Sequence, residues 1–230
     1  MIKNRDSNSH KTIILILTLA LVFSIGLFAT IGTADVSILD TFRIIGSKLP
    51  IINKYIDLSQ ISDAYRTIIW SIRLPRVLLG VLVGASLSTA GAAFQGMLRN
   101  PMADPYILGI SSGAALGASI SIVFNLDVQI LGFSTIAVFA FMGALATVFI
   151  VYNIAKVKQK VPITTLLLSG VAVGQFLTAI MSFLMVTYSK DMNKIIYWTL
   201  GSLAGKGWEP LMRISIPIVL SIIAMNFFAR

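Results

Sequence analysis

Two arginines three residues apart, Arg73 and Arg76, and a row of uncharged polar side chains (Thr164, Thr165, Ser169, Gln175, Thr178 and Ser182) stand out in this 230-residue chain. On a helix, a spacing of three puts both arginines on one face. At a membrane edge such cations anchor headgroups, because an arginine at the bilayer centre costs about 3 kcal/mol. The polar row lies in an otherwise apolar run. An amide such as Gln175 is costly against lipid, so it is expected to face a partner helix or a pathway. No enzyme site is legible. His10 stands alone in a polar leader, there is no cysteine, and no acidic residue lies inside a long apolar run. That excludes the His/Asp/Cys clusters that metal or acid–base chemistry uses, and the usual carboxylate proton relay. The segment from Gly201 to Gly207 looks like a phosphate loop but fails on spacing, with Gly207 where Ser or Thr is needed. The expectation is therefore a non-enzyme with no metal and no cofactor. Any active transport must be powered by another polypeptide.

The elements that position these residues are membrane helices. Apolar residues make up 57% of the chain and charged residues 12%, about half the charge of a soluble domain. Between Val77 and Ala155 only Arg99, Asp104 and Asp127 are charged. Uncharged runs long enough to span a core of about 30 Å, which takes about 20 residues, are Thr12–Ala34, Val77–Leu98, Pro105–Leu126, Val128–Ala155 and Val161–Ser189. Ile214–Arg230 adds a sixth if Pro210–Arg213 supplies its first turn. The first run has a signal peptide's basic leader but is longer than a typical signal core, so it reads as a retained helix. The expected spans are residues 12–34, 77–98, 105–126, 128–155, 161–189 and 210–229, in a single domain over 1–230. Residues 35–76 read as a surface segment with two amphipathic helices. One starts at Ser37, with Asp40 as a partial capping box, and puts Ile38, Leu39, Phe42 and Ile45 on one face. The other carries Ile61, Tyr65, Ile68 and Ile69. The uncharged run Ile195–Gly205 is too short to cross and reads as a re-entrant or interfacial helix, within a short helical segment over 191–207. Gly80xxxGly84, Gly109xxxGly113xxxGly117 and Gly170xxxGly174 are helix-packing stripes. The net charge of +9 belongs to span flanks rather than to nucleic-acid binding. A raw count of Lys and Arg does not decide orientation, but Lys3, Arg5 and Lys11 before the first span, with Lys156, Lys158 and Lys160 in one short loop, favour a cytoplasmic N-terminus.

The stretch RLPRVLLGVLVGASLSTAGAAFQGMLRNPMADPYILGISSGAALG (Arg73–Gly117) resembles the FecCD-type permeases, the membrane subunits of ABC importers for iron–siderophore complexes, haem and vitamin B12. LLLSGVAVGQ (Leu166–Gln175) and YWTLGSLAG (Tyr197–Gly205) followed by Trp208 fit the same family. The resemblance covers essentially the whole chain. It implies an all-α polytopic transmembrane helix bundle, here six spans of a ten-span permease fold, in a bacterial plasma membrane.

The resemblance also implies roles. Arg73 and Arg76 would dock acidic residues of an extracytoplasmic substrate-binding protein. Asn100 and Met102, in the NPMADP turn, would form one half of a cytoplasmic gate, and Ile163 and Thr164 the other. Gln175, Thr178 and Ser182 would line a translocation pathway at a dimer axis, and 191–207 would be the outer gate element. The implied partners are an ABC ATPase, the binding protein, a second permease copy or paralogue, and a metal-chelate substrate. The chain stops after its sixth run, which reads as a truncated permease, the alternatives being a fragment or a split gene. Rival functions are a non-transporting membrane scaffold and a stand-alone secondary transporter; the latter lacks ion-coordinating groups in its spans.

Overall fold

The computed structural model describes residues 3–50, 53–126, 128–130 and 132–228. Asp127, and Ala229 and Arg230 at the end of the sixth expected span, lie outside these residues. The chain is an all-α polytopic bundle. Among the described residues, five helices are long and apolar enough to cross a membrane: Ser9–Thr30, Asp63–Leu98, Thr135–Ala155, Ile163–Thr187 and Trp208–Phe227. Two compact units are present. One runs to Ser86 and takes up the chain again from Leu203 to Phe228; the other is Leu87–Ser202.

The first unit contains α1 (Lys3–Thr30), α2 (Ile38–Gly46), α3 (Asp63–Thr67), a π-helical turn (Ile68–Arg73), the first part of α4 (Leu74–Leu98) and α9 (Trp208–Phe228). Its small apolar core joins Val36, Ile44, Ile61 and Ile69. The α2 face differs from expectation. Thr41 and Ile44 are buried, whereas Ile38, Leu39 and Phe42 are exposed. The Phe42 ring packs on Gly26 of α1, where a Cβ would lie 2.5 Å from it. Ser37 caps α2 by accepting from the Leu39 N–H, while Asp40 pairs with Arg43 at 3.5 Å instead of closing a capping box. The second expected surface helix is not separate either. α3, the π turn and α4 form one continuous helix, Asp63–Leu98. Arg73 and Arg76 interrupt the hydropathy of this stretch but not its backbone. α9 opens with an Arg213–Glu209 pair at 2.5 Å and carries Pro217 inside.

In the second unit, α5 (Ile110–Val123), α6 (Thr135–Ala155) and α7 (Ile163–Thr187) pack side by side, and α8 (Met192–Leu200) seats Ile195 against Ile122 and Val123 at the end of α5. A small hairpin, β1 (Gln129–Ile130) with β2 (Phe133–Ser134), joins α5 to α6. The third expected span is shorter than its apolar run. Asp104 caps a 3-10 turn at Pro105–Leu108, its carboxylate accepting from the Tyr106 N–H at 2.7 Å. Gly109 then breaks the helix at φ 72°, a left-handed conformation that glycine adopts without strain. α5 has 14 residues, about 21 Å of helix. Its close packing is legible in the glycines. A Cβ at Gly113 would collide with the Thr147 hydroxyl and lie 2.6 Å from the Gly143 carbonyl oxygen. The Gly80xxxGly84 stripe is different: Gly80 meets only Leu203, at 3.8 Å, and Gly84 has nothing within 4 Å.

Candidate functional site

The two arginines part company. Arg73 ends the π turn and is 9% exposed. Its Nη1 donates to the Thr30 carbonyl at 2.6 Å and reaches the Ala29 carbonyl at 3.4 Å, and its Nη2 donates to the Ala34 carbonyl at 2.6 Å. These oxygens belong to the last turn of α1 and the chain just beyond it. A helix leaves its last four carbonyls without partners and its C-terminus partly negative. α1 has no basic residue of its own in that turn, so Arg73 supplies the cation from another helix. Arg76, one turn further on, is exposed. The expected surface pair is therefore one surface arginine and one buried cap, because the α1 terminus is the stronger claim on Arg73.

The NPMADP turn is closed by Asn100 and by Gln95 of α4. The Met102 N–H donates to Asn100 Oδ1 at 2.9 Å, the Ala103 N–H to the Asn100 carbonyl at 3.1 Å, and Gln95 Nε2 to the Pro101 carbonyl at 3.0 Å. Met102 is left 80% exposed at the tip. Beside the turn lies a cleft of about 510 Å³, with Gln95, Asp104, Tyr106 and Ser111 in its lining. Ile163 and Thr164 are the exposed first residues of α7. Two turns later Gly170 meets the backbone of Ile107 and Leu108, where a Cβ would lie 2.6 Å from the Ile107 carbonyl. That packing brings the start of α7 to the same end of the unit as the NPMADP turn. Among the described residues, no hydrogen bond joins Asn100 or Met102 to Ile163 or Thr164.

Along α7, Gln175 and Ser182 are exposed and Thr178 is half-buried. The Thr178 hydroxyl donates to the Gly174 carbonyl at 2.8 Å and lies 3.1 Å from the Ser112 hydroxyl of α5, and Ser182 donates to the Thr178 carbonyl at 3.0 Å. Thr178 thus serves α5–α7 packing, while the Gln175 amide stays on the open face. Sequence reasoning missed Ser112 and Trp70. It had Trp208 only as part of a motif. The indole Nε1 of Trp208 donates to the Trp70 carbonyl at 2.8 Å, and the two rings lie 4.9 Å apart.

The fold is that of a polytopic, membrane-embedded helix bundle. The chain belongs to the FecCD transport family, whose model matches residues 16–230. It is 44% identical over 160 residues to the cobalamin import system permease protein BtuC of Halobacterium salinarum, covering 70% of this chain and 42% of that protein. It is 34% identical over 215 residues to the Fe(3+)-citrate import system permease protein YfmD of Bacillus subtilis, covering 92% of this chain and 58% of that one. Its fold matches a solved metal-chelate type ABC transporter in an inward-facing conformation, with a TM-score of 0.68 and 28% identity, over 91% of this chain and 59% of that chain. The chain thus spans about half the length of the curated relatives it matches.

Proposed function

We propose that this chain is a membrane permease component of a binding-protein-dependent ABC importer for metal chelates, with ferric siderophores as the substrate class. The observation that carries the reading is the match to the FecCD family over residues 16–230. In this reading the chain lies in a bacterial plasma membrane with its N-terminus in the cytoplasm. A second permease copy or paralogue completes a dimer, and a separate ATPase supplies the energy. Two observations support the division of roles. The Gln175 amide lies exposed on the open face of α7, an arrangement that is unfavourable in lipid and suits a pathway wall or a dimer axis. Arg76 is an exposed cation next to a buried one, placed to meet a carboxylate of a binding protein and steer its approach. Asn100 and Met102, with Ile163 and Thr164, form the cytoplasmic gate, and α8 the outer gate element.

The test is uptake of a radiolabelled ferric siderophore by cells whose only permease for it contains this chain. Uptake that needs the chain and a functional ATPase supports the proposal. Uptake that persists in ATPase-free vesicles with an ion gradient supports a stand-alone secondary transporter instead, and no uptake of any metal chelate supports a scaffold.

A further inference from the structure

The π turn Ile68–Arg73 carries bonds at both of its halves, and proline explains one of them. In this turn the backbone bonds run five residues back: the Leu74 N–H donates to the Ile69 carbonyl. The next donor in that pattern would be residue 75, reaching the Trp70 carbonyl. Residue 75 is proline and has no N–H. The Trp70 carbonyl is left without that partner in a half-buried residue, and a carbonyl removed from water without a hydrogen bond is destabilising. The Trp208 indole supplies the missing donor at 2.8 Å, and Lys48 Nζ stands 5.7 Å from the centre of the Trp70 ring. At the other end of the turn, Arg73 binds the last turn of α1 and the Ala34 carbonyl beyond it. Its guanidinium lies directly on Gly32, where a Cβ would come within 2.5 Å of Nη2. Pro75 is itself fully buried. Arg76 follows immediately, exposed.

We propose that Arg73 and Trp208 are positioning residues that act through Arg76. Together they hold the π turn in register between α1 and α9, and so fix the direction in which Arg76 leaves the start of α4. A six-residue π turn has a competing α-helical register, and moving from one to the other turns everything beyond it by about 100°. The Arg73 and Trp208 bonds are made in the observed register. The consequence for docking rests on the reading of Arg76 given above; the positioning itself does not.

The experiment has two arms, so that the two ideas fail separately. The chain has no cysteine, so Arg76→Cys can carry a single spin label in the assembled transporter. The label is expected to be ordered in the parent, and mobile or multi-component when Arg73→Gln or Trp208→Phe is added, with Arg73→Lys partly restoring order. An unchanged spectrum in both variants overturns the proposal, whatever Arg76 does. The second arm measures affinity for the transporter's own extracytoplasmic binding protein in nanodiscs. Arg76→Gln and Arg73→Gln are each expected to weaken binding roughly tenfold, and the double variant no more than about twofold beyond either. Multiplying losses would mean that Arg73 meets the partner directly, which overturns the proposal. If Arg76→Gln binds normally, the docking reading falls and the spin-label arm alone decides the positioning.

Discussion

The two compact units solve the same problem by different means. Between membrane helices there is no hydrophobic drive, since lipid is as apolar as leucine, so association rests on close packing or on hydrogen bonds. The second unit uses packing. α5, α6 and α7 approach until the Gly113 and Gly143 backbones meet and Gly170 reaches the Ile107 carbonyl. The first unit uses polar bonds at helix ends. Arg73 binds the α1 terminus, Trp208 binds the π turn, and the α4 glycines Gly80 and Gly84 are left almost bare. A unit closed by backbone contact tolerates no added volume. The first unit, held by a few long side chains, tolerates volume at the bare glycines of α4 but not the loss of a donor.

That contrast can be broken first at Gly113. Gly113→Leu should remove at least about 3 kcal/mol of stability, since the clash is with backbone and with Thr147, and appear as loss of the monodisperse, thermally cooperative species in detergent. Gly84→Leu, the same change on a bare glycine of the first unit, should shift the melting temperature little. Next, Arg73→Gln should cost about 2–3 kcal/mol, the worth of charged hydrogen bonds that leave buried carbonyls unmet. Arg76→Gln should stay within about 0.5 kcal/mol; equal losses in thermal melts would erase the distinction between the two arginines. Trp208→Phe keeps the ring and drops the donor, and should cost about 1–2 kcal/mol by the same measurement.

The smallest effect lies at the edge of the first unit. The Ser59 backbone N–H, then the Ser59 hydroxyl, hold the Asp57 carboxyl below its ordinary range, with Arg43 and Arg66 adding to the shift. A folded pKa below the unfolded one stabilises above the unfolded value of about 3.9 and loses that contribution as pH falls through the folded value. Asp57→Asn should therefore lower the melting temperature slightly at neutral pH, and the difference should close below about pH 4.

How far the sequence foretold this contrast differs between the units. The apolar runs and the small-residue stripes of the second unit are local signals, but Gly109xxxGly113xxxGly117 is not one helical face: Gly113 and Gly117 pack on α6, whereas Gly109 precedes α5 in a left-handed turn and meets Gly170 and Gly174 of α7. The shortening of the third run was also written locally, in Asp104, Pro105 and Gly109, although hydropathy alone passed over it. The first unit was harder to read because its decisive bonds are long-range. Arg73 meets carbonyls 39 to 44 residues away, and Trp208 one 138 residues away. A hydropathy window treats Arg73 and Arg76 as the end of a span, whereas the helix runs through them because one of the two charges is matched internally. The one sequence clue was Pro75, which announces an orphaned carbonyl without saying who meets it. Of the candidate site residues, those proposed for a gate and a pathway sit at legible turns and helix faces, and the burial of Arg73 beside an exposed Arg76 required the structure.

The central claim, that the chain works as the docking and pathway part of a chelate importer, is tested most directly by a charge swap at Arg76 in the uptake assay. Arg76→Glu should reduce ferric siderophore uptake at least about tenfold, and a binding protein with one acidic docking residue changed to lysine should restore a substantial part of it. Undiminished uptake in the Arg76→Glu strain would contradict the account.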